Sequence, residues 1–140
     1  MWKKTCSKIY QNISISKVWN IWADVDNWPK WHDDLEYCKL NGKFEKGSFF
    51  ILKPKGGPKV KIALLEVHPE KSFVDCTKFF GATMFDTHKI EKTPTGIKIS
   101  NEVHVEGVLS LLWVFLVAKN VAATAQQEMD KVAKLARIKK

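Results

Sequence analysis

The stretch SISKVWNIWADVDNWPKWHDD, from Ser14 to Asp34, holds four of the chain's six tryptophans. They are Trp19, Trp22, Trp28 and Trp31. Tryptophan combines a large rigid apolar surface with one N–H group that needs a polar partner. Ser14 is a good helix N-cap, and the apolar spacing after it predicts one short helix. A second short helix is predicted over Asp24 to His32, interrupted at Asn27-Trp28-Pro29. Helices this short must pack on another element.

The rest of the chain predicts a sheet and one long helix. Trp2 to Asn12 alternates as a first strand, and from Glu36 onward six strands alternate with turn residues. Gly107 marks the end of the last strand. Val108 to Lys139 contains neither glycine nor proline, and it predicts a single helix. The order indicates an α+β fold, in which a seven-stranded antiparallel sheet curves around the long C-terminal helix and two short helices lie between strands 1 and 2.

Composition limits the classes of protein that fit. The 140 residues predict a single domain over 1–140. Neither a bilayer-spanning stretch nor an apolar signal core is present, and Cys6, Cys38 and Cys76 lack disulfide-type spacing, which favours the cytoplasm. The net charge of +8 is concentrated in Lys53–Lys61 and in the tail KVAKLARIKK. Neither segment interleaves stacking aromatics with its charges, so nucleic acid is not indicated as a partner.

Seven residues of the opening stretch follow a pattern of the form S-x-x-x-V-W, then D, then W-P-x-W. They are Ser14, Val18, Trp19, Asp24, Trp28, Pro29 and Trp31. With the order of elements, they make the chain resemble the START-like (SRPBCC, helix-grip) superfamily, and in particular its polyketide cyclase/dehydrase and lipid-transport-like group. The resemblance implies an apolar tunnel between the sheet and the C-terminal helix. It implies no catalytic motif, because the superfamily shares none and spans carriers, receptors and enzymes.

The strand phases predict polar side chains inside the tunnel. In the last strand, Asn101 shares the apolar phase with Ile97, Ile99, Val103 and Val105. In the strand before it, Asp86 and His88 share the phase of Met84 and Ile90. If Thr93 to Gly96 forms the turn, His88 lies directly across from Asn101.

Asp75 joins this group if its strand turns Phe73 and Phe79 inward. A buried polar cluster is either satisfied by its own members or faces a ligand. His88 with Asp86 or Asp75 would then be the candidate catalytic residues of a cyclase or dehydratase. We favour a protein without catalysis, and we predict neither a cofactor nor a metal, since His32 has no second histidine at ligand spacing.

The function that these features predict is carriage or sensing of one hydrophobic small molecule, such as a lipid, an isoprenoid quinone or a polyketide-like aromatic. The predicted lining is Trp28, Trp31, Phe49, Ile51, Phe73, Phe79, Met84, His88, Asn101, Val103, Leu112, Phe115 and Leu116.

The segment VLSLLWVFLVA, from Val108 to Ala118, is apolar on every side of a helix. Leu112, Phe115 and Leu116 are expected to face the tunnel, which leaves Leu111, Trp113 and Val114 without an inner position. A surface helix normally keeps a polar face. These three apolar side chains therefore suggest a homodimer contact or transient contact with an anionic membrane. A third hypothesis for the function is therefore a protein-interaction module that uses the apolar patch around Trp113.

Overall fold

The computed structural model describes residues 2–138, which form one antiparallel sheet and a set of helices packed on it. The chain runs β1 (Trp2–Tyr10), α1 (Ile15–Ala23), a 3₁₀ helix (Val25–Lys30), β2 (Leu35–Asn41), β3 (Phe49–Pro54), β4 (Val60–His68), β5 (Ser72–Phe79), β6 (Ala82–Thr93), β7 (Gly96–Glu106), α2 (Ser110–Trp113), a π-helical turn (Val114–Ala118) and α3 (Lys119–Leu135). We call α2, the π-helical turn and α3 together the C-terminal helix. The predicted seven-stranded helix-grip fold is confirmed.

The sheet order places the first strand beside the last. The seven strands follow the order β1-β7-β6-β5-β4-β3-β2, so that after β1 each strand pairs with its neighbour in sequence. The β6–β7 register pairs Lys92 with Ile97 and His88 with Asn101, as the turn at Thr93 to Gly96 predicted. β1 ends at Tyr10, two residues before the predicted boundary, and Asn12 has a positive φ of 59° that turns the chain out of the sheet.

The tryptophan-rich stretch forms a short layer over the sheet. Ser14 caps α1 by accepting a hydrogen bond from the Lys17 backbone N–H. Trp28 in the 3₁₀ helix donates its indole N–H to the carbonyls of Ile21 and Trp22, at 3.2 and 3.1 Å. These carbonyls lie in the last turn of α1, where intrahelical donors are missing. The indole therefore closes the end of one helix and fixes the start of the next.

The C-terminal helix differs from the prediction at both ends and in its first part. It begins at Ser110 instead of Val108, and it contains a π-helical turn at Val114–Ala118. α3 ends at Leu135 instead of Lys139, which lies outside the described residues. The chain leaves the helix because Ala136 accepts a backbone hydrogen bond from Ser14, at 3.0 Å, and Arg137 forms a β-bridge with Ile13. Among residues 2–138, no helix has the length and apolar character needed to cross a bilayer.

Candidate ligand-binding cavity

A cavity of about 960 Å³ lies between the inner face of the sheet and the C-terminal helix. Side chains from α1, the 3₁₀ helix, strands β2 to β7 and the C-terminal helix line it. The volume is at the upper end of the range that accommodates drug-sized molecules. The cavity meets solvent where its lining includes the exposed side chains of Lys59, Lys61, Lys78, Leu116 and Asn120. The opening is therefore framed by lysines of the sheet and by the early part of the C-terminal helix.

Aromatic rings form much of the inner wall. The His88 imidazole lies flat on the Phe73 ring, with 4.2 Å between centroids and 6° between planes. Trp22 meets both rings edge-on, at 5.3 Å from Phe73 and 5.4 Å from His88. Trp28 meets Phe50 in the same edge-on way at 5.2 Å. Edge-to-face and stacked pairs hold such rings in defined orientations, so the wall presents a preformed aromatic surface.

A polar cluster interrupts this wall at the centre of the sheet. Asp75 on β5 is directly paired with Asp86 on β6, and His88 is paired with Asn101 on β7. The Asn101 side-chain amide donates a hydrogen bond to Asp86 Oδ1. His88 Nδ1 lies 3.8 Å from the same Oδ1 atom, beyond hydrogen-bond distance. The four side chains whose proximity the strand phases predicted therefore meet in the cavity wall.

Burial changes the acidity of the two carboxyl groups. It raises the pKa of Asp75 well above its usual range, and the neighbouring charges of Asp86 and Glu128 add to the effect. Burial also raises the pKa of Asp86, although His88 and the hydrogen bond from Asn101 act in the opposite direction. Two carboxyl groups this close cannot both ionise without a large repulsive cost. The pair therefore retains a proton to higher pH than exposed aspartates do.

Two polar atoms of the wall are left without partners. His88 Nδ1 and Thr77 Oγ1 are buried and have no hydrogen-bond partner among the described residues. Both side chains line the cavity, and Thr77 follows Asp75 on the same face of β5. An unsatisfied buried polar group costs about 1–3 kcal/mol. A polar atom on a bound ligand would recover part of that cost.

The same cluster contains the donor atoms that a metal ion would need. One atom from each of Asp75, Asp86 and His88 lies within 4.8 Å of the other two. Atoms bound to one zinc ion at about 2.1 Å are at most about 4.2 Å apart, so the cluster would have to contract to hold a metal.

His32 connects the 3₁₀-helix region to the C-terminal helix beside the cavity. Its Nε2 lies 2.6 Å from Glu128 Oε1, and both side chains line the cavity. Burial lowers the pKa of His32, but the hydrogen bond and charge of Glu128 outweigh that effect, so the pKa lies above its ordinary value. His32 is therefore held against the C-terminal helix by Glu128 and lines the cavity.

Most of the residues predicted to line the tunnel do line the cavity. They are Trp28, Trp31, Phe73, Phe79, Met84, His88, Asn101 and Leu116, together with Asp75 and Asp86. The prediction is wrong for Phe49 and Ile51, because β3 turns Phe50 and Leu52 inward instead. Four consecutive apolar residues carry no alternation, so the sequence could not give the phase of β3.

Three further predicted lining residues lie elsewhere. Val103 is fully buried, but in a second core cluster that packs against Ala118. Leu112 and Phe115 point to solvent, being 47% and 77% exposed. Trp113 takes the inner position in their place, since its ring stacks on Phe79 with centroids 4.4 Å apart and its indole N–H donates to the Phe80 carbonyl. Trp113 is therefore not the centre of a surface patch.

Sequence reasoning missed several lining residues. They include Trp22, Phe50, Leu52, Thr77, Trp113 and Glu128. The alternation that identified Asp75 also places Thr77 inward. Glu128 follows Val121 and Ala125 by helical spacing on the inner side of α3, which is the signal that could have found it.

Comparison with known proteins places this geometry in a family. The sequence matches the family model described as "Polyketide cyclase / dehydrase and lipid transport" over residues 5–137. The chain belongs to this family. The fold of the family is one that binds hydrophobic ligands. No curated protein sequence matches the chain significantly.

Several solved structures share the fold at low sequence identity. A hypothetical protein from Helicobacter pylori has a TM-score of 0.77 at 14% identity, with 97% of this chain and 88% of that chain covered. The di-domain ARO/CYC protein StfQ from the steffimycin biosynthetic pathway has a TM-score of 0.77 at 10% identity, with 96% of this chain covered. This chain spans only 50% of that protein.

A plant enzyme is also similar. Norcoclaurine synthase from Thalictrum flavum, solved with dopamine and hydroxybenzaldehyde, has a TM-score of 0.66 at 18% identity, with 96% of this chain and 86% of that chain covered. At these identities the likeness concerns the fold alone.

Proposed function

We propose that this protein, as a single cytoplasmic domain, binds one hydrophobic small molecule in the cavity and carries or senses it without changing it chemically. The observation that carries the proposal is the cavity of about 960 Å³ with its aromatic wall. Lipids, isoprenoid quinones and polyketide-like aromatics are the candidate ligand classes.

The wall favours a ligand that has both a flat ring and an oxygen function. A ring could pack among Trp22, Phe73 and His88, which already hold one another in edge-on and stacked arrangements. A carbonyl or hydroxyl group on that ring could reach the unpartnered atoms of His88 and Thr77. A purely hydrocarbon chain would leave these atoms unsatisfied. Quinones and polyketide-like aromatics therefore fit better than simple fatty chains.

Menadione, a small quinone, is a suitable probe for this site. We expect it to quench tryptophan fluorescence saturably at a one-to-one ratio, because four tryptophans, Trp22, Trp28, Trp31 and Trp113, line the cavity. Met84→Trp adds bulk at a lining residue and should weaken binding at least about tenfold, which is about 1.4 kcal/mol. The matched control is Phe85→Trp, whose side chain stacks on His104 and is not part of the lining. Equal binding by wild type, Met84→Trp and Phe85→Trp would contradict a site in the cavity.

A second candidate function is that of a cyclase or dehydratase. The specific observation in its favour is that a carboxyl group with a raised pKa, Asp75, lies beside Asp86 and His88. In an intramolecular aldol step, Asp86 or His88 would remove a proton from the carbon next to a carbonyl. That carbon would bond to a second carbonyl carbon, whose oxygen would take the proton of Asp75, and water would leave in a later elimination.

His88→Ala separates the two functions. In a carrier, the variant should still bind menadione with only a modest loss, because the imidazole contributes one surface of the wall. In an enzyme, the same variant should bind its substrate and lose turnover. Conversion of any bound compound by wild type but not by His88→Ala would replace the carrier proposal with the enzymatic one.

A further inference from the structure

Six large apolar side chains lie exposed at one end of the molecule. We call them the apolar patch: Phe80, Val108, Leu111, Leu112, Phe115 and Leu116. Four of them are more than three-quarters exposed, with Val108 at 94%, Phe80 at 84%, Leu111 at 79% and Phe115 at 77%. Leu111, Leu112, Phe115 and Leu116 follow a three-and-four spacing on the C-terminal helix, and Val108 lies in the turn just before it. Monomeric proteins rarely leave such a continuous apolar stripe in water unless it contacts something.

The patch is held in a fixed position by the backbone beneath it. The turn that carries Phe80 is bound to the start of the helix, because the Leu109 N–H donates to the Gly81 carbonyl at 2.9 Å and Trp113 donates to the Phe80 carbonyl at 2.7 Å. Gly107 permits this approach, since a Cβ atom there would lie 2.5 Å from the Gly81 carbonyl oxygen. The exposed side chains therefore project from an ordered platform.

Positive charge surrounds the patch. Lys4 and Lys119 line a surface groove together with Leu111 and Phe115. Lys78, two residues before Phe80, is exposed beside the cavity opening, as are Lys59 and Lys61 on β4 and its preceding turn. From Gly107 to Gln127 the sequence contains no acidic residue, and the carboxylate that precedes this segment is Glu106, 3.3 Å from His104.

We propose that the apolar patch inserts into the surface of a bilayer that contains anionic phospholipids. The apolar side chains at the centre of the patch suit the boundary of the acyl chains. The lysines around them suit the anionic headgroups. A second copy of the chain is a poorer occupant, because two chains of net charge +8 would have to bring their basic surfaces together.

When the apolar patch lies in the bilayer surface, the cavity opening lies close to the bilayer. Leu116 belongs to the patch and also lines the cavity, next to the exposed lining residues Lys78 and Asn120. A hydrophobic molecule could therefore pass between the membrane and the cavity without crossing water. The membrane contact itself needs no ligand, so its test is independent of the proposed function.

The experiment is flotation of the full chain with phospholipid vesicles. We expect the protein to float with vesicles of phosphatidylcholine and phosphatidylglycerol, to float far less with phosphatidylcholine alone, and to be released by about 0.5 M salt. The double variant Leu111→Gln with Phe115→Gln should lower the partition coefficient at least tenfold. The matched control is Leu135→Gln, because Leu135 is 54% exposed at the far end of the same helix.

A second pair of variants tests the charges. Lys4→Gln with Lys119→Gln should weaken flotation about tenfold or more, whereas Lys39→Gln with Lys92→Gln, at exposed strand positions away from the patch, should not. All variants should keep the wild-type circular dichroism and menadione affinity, since none of these residues lines the cavity. Absence of flotation by wild type, or flotation that the patch variants leave unchanged, would overturn the proposal. A dimer that the Leu111→Gln, Phe115→Gln variant disrupts, without vesicle binding, would also overturn it and assign the patch to a second copy.

Discussion

At the scale of single residues, the central feature is a pair of aspartates, Asp75 and Asp86, whose burial leaves their charges poorly solvated by water. Asp75 is 6% exposed and directly opposite Asp86 on the neighbouring strand. A folded protein accepts such a pair only if a proton, a hydrogen bond or a ligand compensates the charge. Asn101 donates a hydrogen bond to Asp86. The raised pKa of Asp75 indicates that the Asp75 carboxyl group is compensated by holding a proton.

Asp75→Asn should flatten the dependence of stability on pH. A carboxyl group whose folded pKa lies above its unfolded value of about 3.9 stabilises the protein fully below that value, and this stabilisation is lost as pH rises through the folded pKa. The asparagine amide is neutral throughout and could donate to Asp86. We therefore expect the free energy of unfolding of the variant to fall less than that of wild type as pH rises above about 4, as measured by urea unfolding.

The control for this prediction is Asp33→Asn, since the Asp33 side chain is 84% exposed and pairs with Lys131. For this control, the free energy of unfolding plotted against pH should stay parallel to the wild-type curve. If the curve of Asp75→Asn were also parallel to the wild-type curve, the aspartate pair would not hold the proposed proton.

The sequence could predict this cluster because alternation and turn length both constrain it. Asn101 is the polar member of an otherwise apolar phase, and the count through Thr93 to Gly96 then brings His88 opposite it. β3 offered no such constraint. Phe49 to Leu52 are all apolar, so only the packing of Phe50 against Trp28 decides which phase faces inward.

At the scale of elements, the tryptophan-rich stretch works as a joint between two short helices. The Trp28 indole satisfies two carbonyls at the end of α1, while the Asp26 carboxylate accepts a hydrogen bond from the Leu40 backbone N–H at 2.7 Å. The stretch is thereby attached to the edge strand β2. The sequence predicted two short helices here, but the role of the indole as a cap depends on a side-chain direction that spacing does not reveal.

Trp28→Phe tests this joint. The variant keeps an aromatic ring against Phe50 but removes the N–H donor, which leaves the buried Trp22 carbonyl and the partly buried Ile21 carbonyl without their partner. We expect the free energy of unfolding to fall by about 1–3 kcal/mol in urea titrations. Trp31→Phe is the control, because Trp31 is only half-buried. The free energy of unfolding of this variant should fall clearly less. Equal losses would show that ring volume, and not the N–H group, matters at Trp28.

The C-terminal helix shows the limit of propensity arguments. Its composition predicted an uninterrupted helix, and neither the π-helical turn at Val114–Ala118 nor the end at Leu135 has a local signal. Both depend on tertiary partners. Ala118 is fully buried against the sheet, and Ala136 and Arg137 pair with the segment before α1.

At the scale of the whole molecule, the order of elements was enough to predict a sheet curved around a helix. Glycine- and proline-containing turns divided the strands, and the opening stretch resembled one superfamily. The volume between sheet and helix could not be predicted in the same way, because it depends on which large side chains point inward. Trp113 illustrates this, since it occupies an inner position that the sequence assigned to Leu112 and Phe115.

Native mass spectrometry of freshly purified protein is the measurement that tests the central claim most directly. A hydrophobic molecule held against the aromatic wall of the cavity should survive gentle purification, so we expect one bound compound per chain, released by organic solvent. Met84→Trp should carry much less of it, whereas Phe85→Trp should carry as much as wild type. Protein that is empty in all three forms and takes up no menadione would contradict the account.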